Sequence, residues 1–231
     1  RGKCVRDVYV RQDVWETHAD VVDAARRVTR WVHPVTPEVS AALSGDSQGI
    51  CAVASLDALS RELPEPRVGE TIVVLAQGRD PGNVGTIIRT ADAFGAVGVV
   101  AVAGTVDAAS PKVVRSSAGS VFHIPVCQVA SFAEARALIH GRSAALLGTS
   151  GGAGSLSLSD LLVQGVSARS RLSQSHAWVF GNEARGLSGD EMRLCDALVS
   201  IPMTGDAESL NVASAAATCL FASQTVRGLE R

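Results

Sequence analysis

The sequence predicts an α/β protein with a mostly parallel sheet that is flanked by helices. Short apolar runs, such as residues 71–76 and 177–180, alternate along the chain with segments of helical spacing, and this alternation is typical of a parallel sheet. The runs are almost uninterrupted by polar residues, as expected for strands buried on both faces. With 231 residues, 46% of them hydrophobic, the chain can fill a sizeable core as one large or two small domains.

A small α/β domain is predicted at residues 1–62. Residues 5–10 and 31–33 have strand patterns, and residues 13–30 have apolar side chains at helical spacing. A second helix begins with Thr36 as N-cap and Pro37 in the first turn, and a strand follows at 49–55. The chain starts without Met, so we expect an upstream segment to be absent. Residues 61–67, polar and with two prolines, predict the domain boundary.

The second predicted domain, residues 68–231, holds most of the apolar strands. Its strands are predicted at 71–76, 97–103, 124–129, 144–148, 177–180 and 197–201, and its helices at 83–94, 112–117, 131–140, 188–195 and 209–225. Asn83 and Ser131 are the expected N-caps of two helices, and Ser188 with Glu191 predicts a capping box. The serine-rich segment 155–175 is interpreted as an irregular surface loop. His123 lies between apolar residues, which favours a core or strand histidine over a catalyst.

Composition excludes several classes of protein. Five scattered cysteines without C-x-x-C spacing argue against disulfides and zinc and fit a reducing cytosol. No uncharged apolar run reaches the roughly 18 residues of a membrane helix. The net charge of −2 does not by itself indicate nucleic acid. Local basic residues can still contact phosphates, with a solvated surface role as the equal alternative. The candidates are Arg6, Arg11, Lys112 and Arg115.

Three polar clusters each follow a predicted strand, at residues 78–91, 180–187 and 201–213. Because the carboxyl ends of parallel strands share one edge, ligands of α/β proteins usually bind there. Taken singly, each cluster also has a structural explanation: a turn, a surface ion pair, and a helix cap formed by Ser209 or Glu208. The glycine-rich segment 148–154 lacks the spacing of a dinucleotide fingerprint, which disfavours a nicotinamide-binding Rossmann enzyme.

Together the three clusters resemble the motifs of the SpoU (TrmH-type) RNA 2′-O-ribose methyltransferases of the SPOUT superfamily. The matching segments are DPGNVGTIIRTA at 80–91, GNEARGL at 181–187, and IPM with ESLNVA at 201–203 and 208–213. The resemblance covers about residue 70 to the end. Residues 1–62 more weakly resemble an L30e-like RNA-binding domain that is incomplete at its N-terminus. The family implies a deep trefoil knot near the C-terminus, which pattern alone would not suggest, and a cytoplasmic homodimer.

The resemblance also implies S-adenosylmethionine as methyl donor, no metal, and RNA as substrate. By motif, the donor site comprises Thr149, Ser150, Gly181, Ile201, Met203, Leu210 and Ala213. The implied catalytic set is Arg89, Asn83, Glu183, Ser209 and Asn211. Arg89 either holds the RNA phosphate and stabilises a developing alkoxide or, in an unusual site, acts as base. Asn83 and Glu183 are expected to organise the loops, with Glu183 as the alternative base, while Ser209 and Asn211 orient the ribose and donor loop.

The expected function is therefore 2′-O-methylation of RNA, with 23S ribosomal RNA as the expected substrate. The alternatives are a tRNA 2′-O-methyltransferase and a non-catalytic RNA-binding or ribosome-assembly factor on the same fold. The presence of Arg89, Glu183, Ser209 and Asn211 argues against the non-catalytic alternative. Housekeeping and antibiotic-resistance roles both stay open, because resistance enzymes of this family share the motifs.

Overall fold

The structure, a computed structural model, describes residues 4–45, 47–65, 67, 69–152, 154–165 and 170–229. The chain divides into two compact units, Arg1–Ala58 and Leu59–Arg231, and each contains its own sheet. Residues 1–3, 68 and 230–231, at the ends of the two predicted domains, lie outside the described residues. The L30e-like character of the first unit stays a prediction.

The first unit is a three-stranded sheet with two helices. Its elements are β1 Val5–Arg11, α1 Ala19–Val28, β2 Val32–Val35, α2 Pro37–Leu43 and β3 Ile50–Ala54, with short 3-10 helices at Gln12–Val14 and Leu56–Ala58. The strand order is β2-β1-β3, with β1 parallel to β2 and antiparallel to β3. Val8 and Val10 face α1 and pack against Val22 and Ala25.

Two expectations for the first unit are corrected and one is confirmed. The helix predicted from residue 13 begins only at Ala19, because the Asp13 carboxylate pairs with Arg11 and does not cap a helix. Pro34 lies inside β2, which is possible because β2 is an edge strand and Pro34 has no N–H to contribute to the ladder. Thr36 caps α2 as predicted, since its side chain accepts from the backbone N–H of Val39.

The second unit is built on a seven-stranded sheet in which every described strand pair is parallel. The strand order is β6-β5-β4-β9-β7-β10-β8. The strands are β4 Thr71–Leu75, β5 Val99–Val102, β6 Val126–Val129, β7 Ala145–Thr149, β8 Leu156–Ser157, β9 His176–Phe180 and β10 Ala197–Ser200. The helices are α3 Pro81–Ala93, α4 Pro111–Ser116, α5 Phe132–His140, α6 Leu158–Gly165, α7 Gly189–Leu194 and α8 Val212–Leu229. The predicted parallel sheet with flanking helices is confirmed.

The central strands are apolar at every position because both faces are covered. In β4, Val73 and Leu75 pack in one core with α3, α4, α6 and α8. Ile72 and Val74 of the same strand point to the opposite core, where α5 packs. Successive side chains of a strand alternate between faces, so a continuous apolar run fills both cores at once. The helix caps at Ser131 and Ser188, including the capping box with Glu191, also form as predicted.

The serine-rich segment 155–175 is not an irregular loop, contrary to the prediction. It contains β8 and α6, followed by a 3-10 helix at Arg171–Ser173; residues 166–169 lie outside the described residues. Leu158, Leu161 and Leu172 are buried in the core of this unit. Among the serines, Leu158 and Leu161 recur at helical spacing, and the burial of this apolar face stabilises α6.

His123 is also placed differently from the prediction. It lies on the surface, and its Nδ1 is 3.1 Å from a carboxylate oxygen of Asp92. A different histidine, His176 at the start of β9, is fully buried. Its Nδ1 donates to the carbonyl of Gln174 at 2.7 Å, and its Nε2 lies 2.8 Å from Oγ of Ser223. Trp178 donates to the same Oγ, so α8 is attached to β9 by a buried polar network.

We expect His176 to make the stability of the second unit depend on pH. Burial, with a smaller effect of the charge of Arg227, lowers the pKa of His176 to about 4 against the opposing effect of its hydrogen bond to Gln174. Because the folded-state pKa is depressed, the stabilisation is present above the unfolded pKa of about 6.5 and is lost as the pH falls from there towards 4. The shift corresponds to on the order of 3 kcal/mol. In urea unfolding, the free energy of unfolding should fall more between pH 7 and pH 4.5 for wild type than for His176→Gln.

The surface histidine provides the control for that measurement. His123→Gln should leave the difference in free energy of unfolding between the two pH values unchanged. An equal pH response in wild type and His176→Gln would contradict the assignment.

In the described ranges, no helix is long and apolar enough to cross a membrane. Those same residues contain no cluster of three His, Cys, Asp or Glu side chains that could hold a metal ion.

Candidate functional site

Four loops meet at the carboxyl edge of the central strands of the seven-stranded sheet. They follow β4, β9, β7 and β10, which are adjacent and parallel in this order. The register places Leu75 beside Phe180, and Thr149 beside Val199. The three polar clusters of the sequence are therefore brought to one edge, in the position where α/β proteins bind ligands.

The start of α3 is built by Asp80, and not by Asn83 as predicted. The Asp80 carboxylate accepts from the backbone N–H of Asn83 at 2.8 Å, and Pro81 occupies the first helical position. Asn83 lies within the first turn, and its Oδ1 accepts from Nδ2 of Asn211 at 3.1 Å. The side chain that the sequence suggested as a cap therefore connects the first cluster to the third.

Gly85 allows α4 to pack directly against α3. A Cβ at this position would lie 1.9 Å from Oγ of Ser116 and 2.7 Å from the carbonyl of Val113. The Ser116 hydroxyl lies 2.9 Å from the carbonyl oxygen of Pro81. This close packing puts α4, which carries Lys112 and Arg115 on its exposed side, beside the first turn of α3.

Arg89 is an exposed residue of α3. Among the described residues it has no hydrogen-bond or ion-pair partner. Its guanidinium is therefore not committed to another side chain and is available for a substrate group.

The loop after β9 is folded tightly on itself. Asn182 and Gly186 exchange two backbone hydrogen bonds, of 3.0 and 2.8 Å, and Gly186 has a φ of +68°. A Cβ at Gly181 would lie 2.3 Å from the carbonyl carbon of Gly186. Gly181 is thus required by the close approach of its own loop backbone. Its proposed role in donor binding does not follow from this geometry and stays a prediction.

Glu183 links this loop to the loop that precedes α3. Its carboxylate accepts from the backbone N–H of Asp80 at 3.2 Å and is 3.5 Å from that of Arg79. Glu183 and Arg185 do not pair with each other in the described structure, in contrast to the surface ion pair considered from the sequence. The geometry favours an organising role, in which the carboxylate fixes the backbone at the start of α3.

Gln77 is a further connecting residue, and the sequence interpretation missed it. Its Oε1 accepts from Nη2 of Arg185 at 2.7 Å, and its carbonyl is 3.4 Å from Nδ2 of Asn182. The sequence did contain an indication of this role, since Gln77 is a polar residue two positions after the end of the buried strand β4. Two loops more than 100 residues apart in sequence are held together through its side chain and main chain.

The third cluster is an exposed, extended segment that leads into α8. The helix begins at Val212, later than predicted, and Asn211 caps it by accepting from the backbone N–H groups of Ala213 and Ser214 at 2.8 and 3.3 Å. Ser209 is exposed, and neither it nor Glu208 caps the helix. A single asparagine therefore starts α8 and contacts Asn83.

The predicted donor-binding residues lie around the loops after β7, β9 and β10. Thr149 donates to the carbonyl of Val179 at 2.9 Å, and the Ser150 hydroxyl contacts the sulfur of Met192 at 3.7 Å. Met203 and Leu210 expose 44% and 41% of their surface, so apolar side chains border this edge without being packed away. Among the described residues, no backbone hydrogen bond attaches 202–210 to the rest of the chain.

These residues fit a nucleoside-type donor. Exposed apolar side chains can cover an aromatic base, and the uncommitted backbone groups can hydrogen-bond its polar edge. Ile201 is half-buried at the end of β10, and Ala213 is buried at the start of α8. The site is thus bounded by the core on one side and by the extended segment 202–210 on the other.

The predicted RNA contacts are distributed over both units. Lys112 and Arg115 belong to the second unit and lie on α4. Arg6 and Arg11 belong to the first unit, where Arg6 is exposed. The Arg11 guanidinium is paired with Asp13, which reduces its availability for a phosphate. The role of these four residues stays a prediction.

Comparisons with known proteins agree with this fold and site. Residues 70–221 match the SpoU rRNA Methylase family. The chain is 39% identical over 154 residues to the 23S rRNA (uridine(2479)-2'-O)-methyltransferase of Streptomyces viridochromogenes, covering 64% of this chain and 50% of that protein. It is 32% identical over 226 residues to the 23S rRNA (guanosine-2'-O-)-methyltransferase RlmB of Bordetella pertussis, covering 95% of this chain and 88% of that protein.

A solved structure of similar fold contains a cofactor. The SpoU methyltransferase AviRb from Streptomyces viridochromogenes, in complex with AdoMet, aligns with a TM-score of 0.77 and 30% identity over 97% of this chain and 83% of that one. The fold and the site together define this chain, by class, as an RNA methyltransferase. It belongs to the SpoU rRNA methylase family.

Proposed function

We propose that this protein transfers a methyl group from S-adenosylmethionine to a ribose 2′-hydroxyl of 23S ribosomal RNA. The observation that carries the proposal is the joining of three sequence clusters at one sheet edge. Hydrogen bonds connect Glu183 to Asp80, Asp80 to Asn83, and Asn83 to Asn211, and Arg89 is an exposed residue of the same helix as Asn83. The two rRNA-modifying relatives support ribosomal RNA as the substrate class.

The chemistry requires a weakly acidic hydroxyl to be aligned with the methyl group and its developing negative charge to be stabilised. Arg89 is suited to the second task because arginine stays protonated and its planar guanidinium binds oxyanions. It is a poor general base for the same reason. We assign to Arg89 the RNA phosphate and the developing alkoxide, and to Ser209 and Asn211 the orientation of the ribose.

The donor supplies the methyl group, and residues of this chain hold it. Thr149, Ser150 and Gly181 form one side of the proposed site and Ile201, Met203, Leu210 and Ala213 the other. AviRb was solved with AdoMet, which supports S-adenosylmethionine as the cofactor. Glu183 keeps the start of α3 in place through backbone N–H groups and does not take the proton.

We also propose a C-terminal trefoil knot and a homodimer. The strand order supports the knot: β9 is inserted between β4 and β7, and β10 is then inserted between β7 and β8, so late segments pass between earlier ones. Phe221 of α8 is 56% exposed, on a face of the helix that also exposes Ser214, Thr218 and Gln224, and we assign this face to the subunit interface. Light scattering on the purified protein should give twice the mass of the chain, and a monomer would contradict the homodimer.

The function is tested by a methyl-transfer assay. Purified protein with methyl-labelled S-adenosylmethionine should label 23S rRNA and leave tRNA unlabelled, and nuclease mapping should locate the mark on a ribose 2′-oxygen. Labelling of tRNA alone would establish the tRNA alternative. Failure to bind S-adenosylmethionine in calorimetry, with RNA binding retained, would establish the non-catalytic alternative.

A further inference from the structure

An open pocket lies at the carboxyl ends of β5 and β6, on the side of β4 opposite to the proposed donor site. Its volume is about 420 Å³, which is within the roughly 300–1,000 Å³ of sites that bind small ligands. The lining residues are Ala101, Val102, Ala103, Thr105, Gln128, Val129 and Ala130. None of them belongs to the three clusters, so the proposed chemistry leaves this pocket without a role.

The wall of the pocket is attached to the loop before α3. Oγ1 of Thr105 accepts from the backbone N–H of Gly78 and donates to the carbonyl of Leu75, both at 3.2 Å. The N–H of Val106 donates to the carbonyl of Gly78 at 2.9 Å. The pocket and the start of the catalytic helix are therefore held in a fixed relation, and a group bound in one is positioned relative to the other.

The accessible lining of the pocket consists of strand ends and polar groups. Ala103 and Ala130 are exposed, whereas Ala101, Val102 and Val129 are buried in the cores of this unit. On the rim, Gln128 is exposed, and within the described ranges its amide has no hydrogen-bond partner. A carboxamide presents one acceptor and two donors in a plane, which is the arrangement that reads the edge of a nucleobase.

Two arginines and one aspartate belong to segments that adjoin residues of the pocket lining. Arg61 lines a small cavity of about 20 Å³ together with Gln128, and Arg79 is exposed in the loop that precedes α3. Asp107 lines the same small cavity, and its carboxylate accepts from the backbone N–H of Ala109 at 2.9 Å. Arginine side chains suit the phosphates on either side of an unpaired base.

We propose that this pocket binds one unpaired nucleobase of the RNA, from the methylated nucleotide or from one of its two neighbours. Ala103 and Ala130 contact the face of the base, Gln128 hydrogen-bonds its edge, and Arg61 and Arg79 contact the flanking phosphates. This inference rests on the proposed function and adds to it a site for substrate selection. Single-stranded or flipped-out bases are the form in which proteins read RNA sequence.

The test uses the full-length protein and an RNA fragment that spans the nucleotide mapped in the transfer assay. Gln128→Ala removes the polar rim, and Ala103→Leu fills the pocket. Each should raise KM and Kd for the RNA about tenfold and leave the affinity for S-adenosylmethionine unchanged. Ala133→Leu, an equal substitution at an exposed position of α5, is the matched control and should change neither value.

Abasic RNA then identifies the bound base. The fragment is made with a single abasic site at the methylated position or at either neighbour, and both variants are measured on all three. If the pocket holds a base, Gln128→Ala and Ala103→Leu no longer raise KM and Kd for one of the three abasic RNAs. That RNA lacks the base, so the contact that the substitutions remove is already absent. A loss that persists unchanged on all three RNAs would overturn the proposal, as would wild-type KM and Kd in both variants.

The two proposals fail in different ways. If wild type transfers no methyl group, the proposed function fails. The pocket is then judged by Kd alone, measured by fluorescence anisotropy with an equivalent series of single abasic sites across the fragment. If wild type is active and the variants bind and react like it, the function stands and the pocket proposal fails.

Discussion

Arg89→Lys is expected to lower kcat at least about 100-fold while KM for RNA rises no more than about threefold. Lysine keeps the positive charge, so attraction to the phosphate survives. It lacks the planar fork that can hold a phosphate and a developing alkoxide together. The measurement is steady-state methyl transfer to 23S rRNA under saturating S-adenosylmethionine.

Two comparisons decide between the roles of Arg89. Arg193→Lys, an equivalent change at an exposed arginine of α7 that pairs with Asp190, should retain wild-type kcat. If Arg89 acted as a base, the lysine variant would recover activity as the pH rises, because an ammonium group loses its proton far more readily than a guanidinium group. A flat deficit across pH supports charge stabilisation, and full activity in Arg89→Lys would exclude the residue from the chemistry.

Glu183→Ala is expected to lower kcat about 100-fold, whereas Glu183→Gln should stay within about tenfold of wild type. The carboxylate accepts from the backbone N–H of Asp80, and hydrogen bonds to charged groups contribute about 1.5–3 kcal/mol each. Glutamine keeps one oxygen in this position, while alanine removes both and frees the start of α3. The kcat of each variant in the transfer assay checks this.

The two substitutions separate the positioning role of Glu183 from a role as base. Neither glutamine nor alanine can act as a general base, so the two variants would have equal kcat values if Glu183 were the base. Equal values would contradict the organising role argued from the structure. Glu62→Gln and Glu62→Ala, at an exposed glutamate before β4, are the matched controls and should leave kcat unchanged. Unfolding in urea would show whether the alanine variant stays folded.

The parallel sheet and the location of the site followed from short stretches of sequence. Each buried strand is a continuous apolar run because it serves two cores, as β4 does in the structure. Each polar cluster directly follows such a run, and parallel strands end at the same edge. The family motifs then named residues within these clusters, and the structure brings Asn83, Glu183 and Asn211 into one connected group.

Other features depended on partners that the local pattern does not contain. The sequence offered Asn83 and Ser209 as caps, but Asp80 and Asn211 form the caps. The Asp80-Pro81 pair was a local signal that the interpretation missed, whereas the contact of Asn83 with Asn211 spans 128 positions of the chain. Segment 155–175 was misinterpreted for a related reason. Its leucines are spaced for a helix, but the helix is stable because these leucines pack against a core formed by distant parts of the chain.

The sequence by itself determined the order of the central strands and their helices, apart from β8 and α6, and it determined which loops could form a site, because the side-chain period is a local property of the chain. The tertiary structure decided which side chains meet. The contact of Gln77 with Arg185, the buried His176 beside Ser223, and the pocket beside Thr105 all depend on the order in which the strands are inserted into the sheet. That order is set by the packing of whole elements, and no short segment encodes it.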